Sequence, residues 1–190
     1  MDVYIKDVAQ LIQNKKYSEA ITYLNNLTED IKKNPTSFFL KGLSYLYLNK
    51  IDNSIDNFSS AINLNNNNPT FYFYRGFAFS KNNNFEKTIE DYEKAISIKP
   101  NAAEFYNNLA GTYYTIGKNE KSIENYIKSI ELNKNFKQPL NGLLNVLSQT
   151  DEIKYNDSNI ITAHKDMKKI QLYYSQDKFI DDLQIKKLLE

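Results

Sequence analysis

Residues 69–102 read PTFYFYRGFAFSKNNNFEKTIEDYEKAISIKPNA. Tyr72 and Phe79 flank Gly76, and Thr88, Tyr92, Ala95 and Ile96 follow at helical spacing, so the stretch holds two amphipathic helices facing each other. Between them Ser80 to Asn84 is a polar run of turn formers, and Pro100 closes the unit because proline cannot continue a helix. The unit is a helical hairpin with its tight point at Gly76.

Moving 34 residues in either direction returns the same chemistry without a gap. The aromatic opening residue recurs as Tyr4, Phe38, Tyr72 and Tyr106, and the tight-packing position as Val8, Gly42, Gly76 and Ala110. The next large residue recurs as Leu11, Tyr45, Phe79 and Tyr113. In the second helix Ala20, Ser54, Thr88 and Ser122 are each followed by isoleucine, and Leu24, Phe58, Tyr92 and Tyr126 fill the space the small residue leaves.

A fixed 34-residue period of helix-turn-helix units resembles the tetratricopeptide repeat family, over roughly three quarters of the chain. The resemblance implies an all-α, right-handed α-solenoid of about four to five hairpins with a C-terminal capping helix. Departures are Asp7 where the family usually has leucine, and Asn66 and Lys134 where it has a closing proline. The expected units are residues 1–34, 35–68, 69–102 and 103–136. Residues 137–175 form a degenerate unit with a lengthened turn, and 176–190 a capping helix, all within a single domain. The degenerate unit carries Leu140, Leu143, Leu144 and Leu147 on its first helix. Its second helix is expected from Ser158, with Ala163, Met167 and Ile170 inward. Nothing after Glu190 stops the last helix, so a longer natural polypeptide is one expectation.

The net charge of +1 provides no field to attract nucleic acid or an anionic membrane. The chain has no cysteine, which removes disulfides, thiolate metal sites and cysteine nucleophiles. Its N-terminus, MDVYIKDVAQ, lacks the apolar core of a signal peptide, and no apolar run is long enough to span a membrane. The expected location is the cytoplasm.

Catalytic chemistry finds little support. His164 has no second histidine at metal-pair spacing, and Asp52, Asp56, Glu86, Glu90 and Asp91 read as the solvated faces of second helices. No cofactor is implied. Asp7, Lys41 and Arg75 recur at a site usually apolar, and buried charges need partners. Arg75 is expected to meet Asp91, and Asp7 to pair with Lys41.

The binding surface expected from the resemblance is the concave face lined by first helices. Its apolar part holds Ile5, Ile12, Leu46 and the anchors Phe39, Leu43, Tyr47, Phe73 and Phe77; the polar part holds Asn107, Asn108, Tyr114, Asn141 and Asn145. Exposed aromatic clusters suit a helix or an extended peptide, and amides can hold a peptide main chain whatever its sequence. The alternative is that contact between neighbouring units buries the apolar set. Co-chaperones of the family clamp a C-terminal carboxylate with lysine, asparagine and arginine. The frames here carry Ile5, Ala9, Leu40, Thr70 and Tyr74, or Phe39, Leu43, Tyr74, Glu104 and Asn108, so no such clamp is expected. The first expectation for function is a non-enzymatic interaction module for a protein or peptide segment. The second is the repeat domain of a longer transferase, and a third is self-association.

Overall fold

The computed structural model describes residues 3–133, 135–149, 153–154 and 160–161. The packing divides into two compact units, residues 1–100 and 101–190. The first holds α1 (Val3–Gln13), α2 (Tyr17–Asn25), α3 (Glu29–Lys32), α4 (Pro35–Tyr47), α5 (Ile51–Leu64), α6 (Pro69–Lys81) and α7 (Phe85–Ile98). The second holds α8 (Ala103–Thr115), α9 (Asn119–Leu132), α10 (Lys137–Ser148) and a two-stranded antiparallel ribbon, β1 (Ile153–Lys154) and β2 (Ile160–Ile161). This is the helical-hairpin architecture of an α-solenoid.

Local chemistry sets where each hairpin begins and turns. Asn34 and Asn68 accept hydrogen bonds from the backbone N–H of Thr36 (2.8 Å) and Thr70 (3.0 Å), with Pro35 and Pro69 as the first helical residues. Side-chain capping satisfies donors that the first helical turn leaves open, and proline has no donor to lose there. The first helices α1, α4, α6 and α8 then end in the same left-handed turn. Lys15, Asn49, Asn83 and Gly117 have φ between 55° and 73°, and the next residue's N–H reaches back to Leu11, Tyr45, Phe79 and Tyr113 at 2.8 to 3.0 Å. That bond, six residues to one, closes a Schellman motif.

The core follows the 34-residue register. Ala20, Ser54, Thr88 and Ser122 are fully buried where the helices of a hairpin approach. Ser54 Oγ donates to the Gly42 carbonyl and Ser122 Oγ to that of Ala110, both at 2.9 Å, so these small polar residues are satisfied inside the core. Phe58 and Tyr92 lie against Gly42 and Gly76, where an added Cβ would stand 2.6 and 3.0 Å from the facing ring. Burying such a ring contributes about 2 to 3 kcal/mol.

Two elements differ from the sequence reading. The stretch after Leu27 includes α3, one turn led by Thr28, with Glu29 and Asp30 at its start and Lys32 in its last turn, charges that complement the helix dipole. Ile160 and Ile161 pair as a strand with Lys154 and Ile153 where a helix from Ser158 was expected; adjacent β-branched residues favour extended backbone. His164, Ala163, Met167, Ile170 and the expected capping helix lie outside the described residues.

Candidate interaction surface

In the first unit, α4 and α6 bring the apolar anchors together, with less of them open than the sequence suggests. Phe39 packs into a cluster of rings, 5.7 Å from Phe58, 5.2 Å from Phe71 and 5.4 Å from Tyr74 between ring centroids. Leu43 is half-buried between two core clusters, and Leu46 is buried. Ile5 and Ile12 pack against the core of α1 and α2. Phe73 meets Tyr74 edge-on at 5.3 Å and Tyr92 at 5.5 Å. Phe77 is half-buried with the Lys81 ammonium 5.3 Å from its centroid. Phe39 is covered from two sides, by Phe58 of its own hairpin and by Phe71 and Tyr74 of the next, whereas Phe73 is covered by Tyr74 and Tyr92 within its own hairpin.

Tyr47 stays open, 54% exposed, and its ring stacks on Tyr17 at 5.0 Å with the planes 18° apart. Tyr17 opens a second helix, and its match with the end of the next first helix shows only in three dimensions.

The charged register site is partly as expected. Arg75 Nε and Nη2 donate to the two carboxylate oxygens of Asp91, each at 2.8 Å, and Nη1 donates to Ser59 Oγ at 3.2 Å. The guanidinium also lies 5.7 and 5.9 Å from the rings of Tyr72 and Phe79. Asp91 is only 4% exposed, so it turns inward, while Asp52, Asp56, Glu86 and Glu90 are exposed as read. The expected pairing of Asp7 with Lys41 is replaced: Tyr23 donates to Asp7 at 2.7 Å. That bond spans 16 residues, the same offset as Arg75 to Asp91. It raises the Tyr23 pKa. Lys41 lies over the Phe38 ring at 6.0 Å, and burial followed by repulsion from Lys32 holds its ammonium below the usual lysine range.

In the second unit, Asn141 and Asn145 are exposed on α10, while Asn107, Asn108 and Tyr114 are half-buried on α8. Asn145 Nδ2 donates to the Tyr114 hydroxyl at 3.1 Å, which ties the two helices together, and Asn108 Nδ2 donates to the Glu104 carbonyl at 2.8 Å. Beneath them burial raises the Tyr126 pKa, with Tyr114 adding to it. Among the described residues no group of three or more His, Cys, Asp or Glu stands where it could hold a metal ion.

A 34-residue hairpin register with these tight points defines a helical repeat protein. The TPR repeat family model matches residues 42–83 and 79–117, and a tetratricopeptide repeat model matches residues 103–136. The chain belongs to the tetratricopeptide repeat family. A solved structure of MamA, residues 41 to the end, from Desulfovibrio magneticus RS-1 is similar in fold, with a TM-score of 0.73 at 17% identity over 92% of this chain and 90% of that one. The first TPR of Spaghetti (RPAP3), solved bound to the HSP90 peptide SRMEEVD, is similar with a TM-score of 0.59 at 22% identity, covering 61% and 91%. YrrB, described as a TPR protein with an unusual peptide-binding site, is similar with a TM-score of 0.64 at 17% identity, covering 73% and 71%. Likeness at these identities is one of fold. No curated protein sequence matches the chain.

Proposed function

We propose that this chain is a non-enzymatic interaction module that works in the cytoplasm and takes a helix or extended peptide segment along its first helices. Each unit offers its own face: Leu43, Tyr47, Phe73 and Phe77 over a Phe39 floor in the first, and Asn107, Asn108, Tyr114, Asn141 and Asn145 in the second. The observation that carries the reading is the pairing of Leu43 with Tyr47 and of Phe73 with Phe77, one helical turn apart on α4 and α6, none of them fully buried. Such paired anchors suit the apolar face of a helix or alternate side chains of a strand. Two fold relatives described as peptide-bound or peptide-binding lend support. No helix among the described residues is long and apolar enough to cross a membrane.

The test is a displayed peptide library panned against the whole chain and against Tyr47→Glu, which alters an exposed ring and leaves the core alone. Peptides enriched on the unaltered chain and lost on the variant support the reading. Enrichment that is absent, or indifferent to Tyr47→Glu, overturns it.

A further inference from the structure

The sequence holds one Asn–Gly step, Asn141–Gly142, and the structure sets it inside α10. An asparagine before glycine loses its amide most readily, because no Cβ hinders the following backbone nitrogen as it approaches the side-chain carbonyl. The glycine has no freedom to change. A Cβ at 142 would stand 2.3 Å from Cζ and 2.5 Å from Cε1 of Tyr126, a buried ring packed in the same core as Leu143, Val146 and Leu147. The packing that demands glycine therefore creates a labile step, on an exposed asparagine.

We propose that Asn141 is a site of spontaneous deamidation whose rate is set by the opening of α10 around the Tyr126 ring. The Gly142 nitrogen forms a bond to Cγ of Asn141, the Cγ–Nδ2 bond breaks, and ammonia leaves with the backbone proton. Water then opens the resulting succinimide at either carbonyl, giving aspartate or isoaspartate, so the balance is one water in and one ammonia out. Helical backbone opposes the attack twice: ψ near −42° turns the nitrogen away from the side chain, and its N–H is held by the carbonyl four residues back. Only molecules with α10 locally open react. Aspartate adds a negative charge to the face that carries Asn145 and Tyr114, and isoaspartate lengthens the backbone so that the helix cannot re-form in register.

The experiment incubates the full chain at mildly alkaline pH, folded and in urea, and follows each asparagine-containing peptide by mass spectrometry. In urea Asn141 converts faster than any other asparagine, and in the folded chain it converts about tenfold more slowly or less. Tyr126→Leu narrows that gap; if this variant fails to fold, Val146→Ala, which loosens α10 without touching the ring, does so instead. Equal rates folded and unfolded, or a gap indifferent to the folded variant, overturn the proposal.

Discussion

Arg75 and Asp91, 16 residues apart, close a two-pronged ion pair with both hydrogen bonds at 2.8 Å. Asp91 is almost wholly buried, and Arg75 is mostly so. Replacing Arg75 with methionine leaves a buried carboxylate without its cation and is expected to cost about 3 kcal/mol. Adding Asp91→Leu should recover most of that loss, because an apolar pair of similar volume carries no desolvation cost. Urea denaturation of the two single variants and the double variant measures the coupling. Additive losses would contradict a mutually dependent pair.

The helical glycines are expected to part company. Gly42→Ala drives a methyl to 2.6 Å from the buried Phe58 ring and should cost about 1 to 3 kcal/mol. Gly111→Ala meets only the Tyr126 hydroxyl at 3.6 Å, an ordinary contact, and should gain about 0.5 to 1 kcal/mol from reduced backbone freedom. Thermal melts of the two variants should move in opposite directions.

The left-handed turns provide a third test. Lys15 pays a steric penalty at φ 59° that glycine escapes, so Lys15→Gly should stabilise by about 1 kcal/mol. Gly117→Ala should cost a similar amount. Nothing lies within 4 Å of a Cβ at 117, so that cost comes from backbone conformation alone. A neutral result at both positions would remove the turn from the determinants of stability.

Alkaline pH should unfold the chain through its buried phenols. Burial raises the Tyr92 pKa above the ordinary value near 10, offset in part by a hydrogen bond with Ser80. Below pH 10 both states keep the proton; above it the unfolded chain ionises first, so stability falls as pH rises. Tyr92→Phe should flatten that decline by about 1.4 kcal/mol per pH unit. Lys41 acts in the opposite sense, since its lowered pKa makes the charged form a burden that is relieved as pH rises through the folded value. Denaturant titrations at a series of alkaline pH values give the slopes.

The hairpin periodicity was legible because apolar residues repeat in step, and Arg75 to Asp91 because the spacing placed opposite charges on facing helices. The partner of Asp7 was not, since Tyr23 reads as one aromatic among many and only its hydroxyl reveals the 16-residue offset. Phe39 and Phe73 read as open because they lie off the small-residue stripe, but large rings reach them: Phe58 and Phe71 meet Phe39, and Tyr92 meets Phe73 from within the same hairpin. Lys15 carries no left-handed preference of its own; alignment with Asn49, Asn83 and Gly117 exposes the turn. The amides of α8 and α10 were visible as a row, but the bond from Asn145 to Tyr114 depends on how two helices lie side by side.

The recurrence of that turn at residues 15, 49, 83 and 117 has a consequence for how the gene can change. Each turn is closed by its own backbone, and Ser54 and Ser122 are tied across their own hairpins, so the chain's length is in effect quantised. Deleting a whole 34-residue hairpin joins one complete module to another. Deleting one residue from a turn displaces every packing position downstream within that hairpin. Divergence by unequal recombination is therefore structurally gentler here than divergence by single-codon insertion or loss.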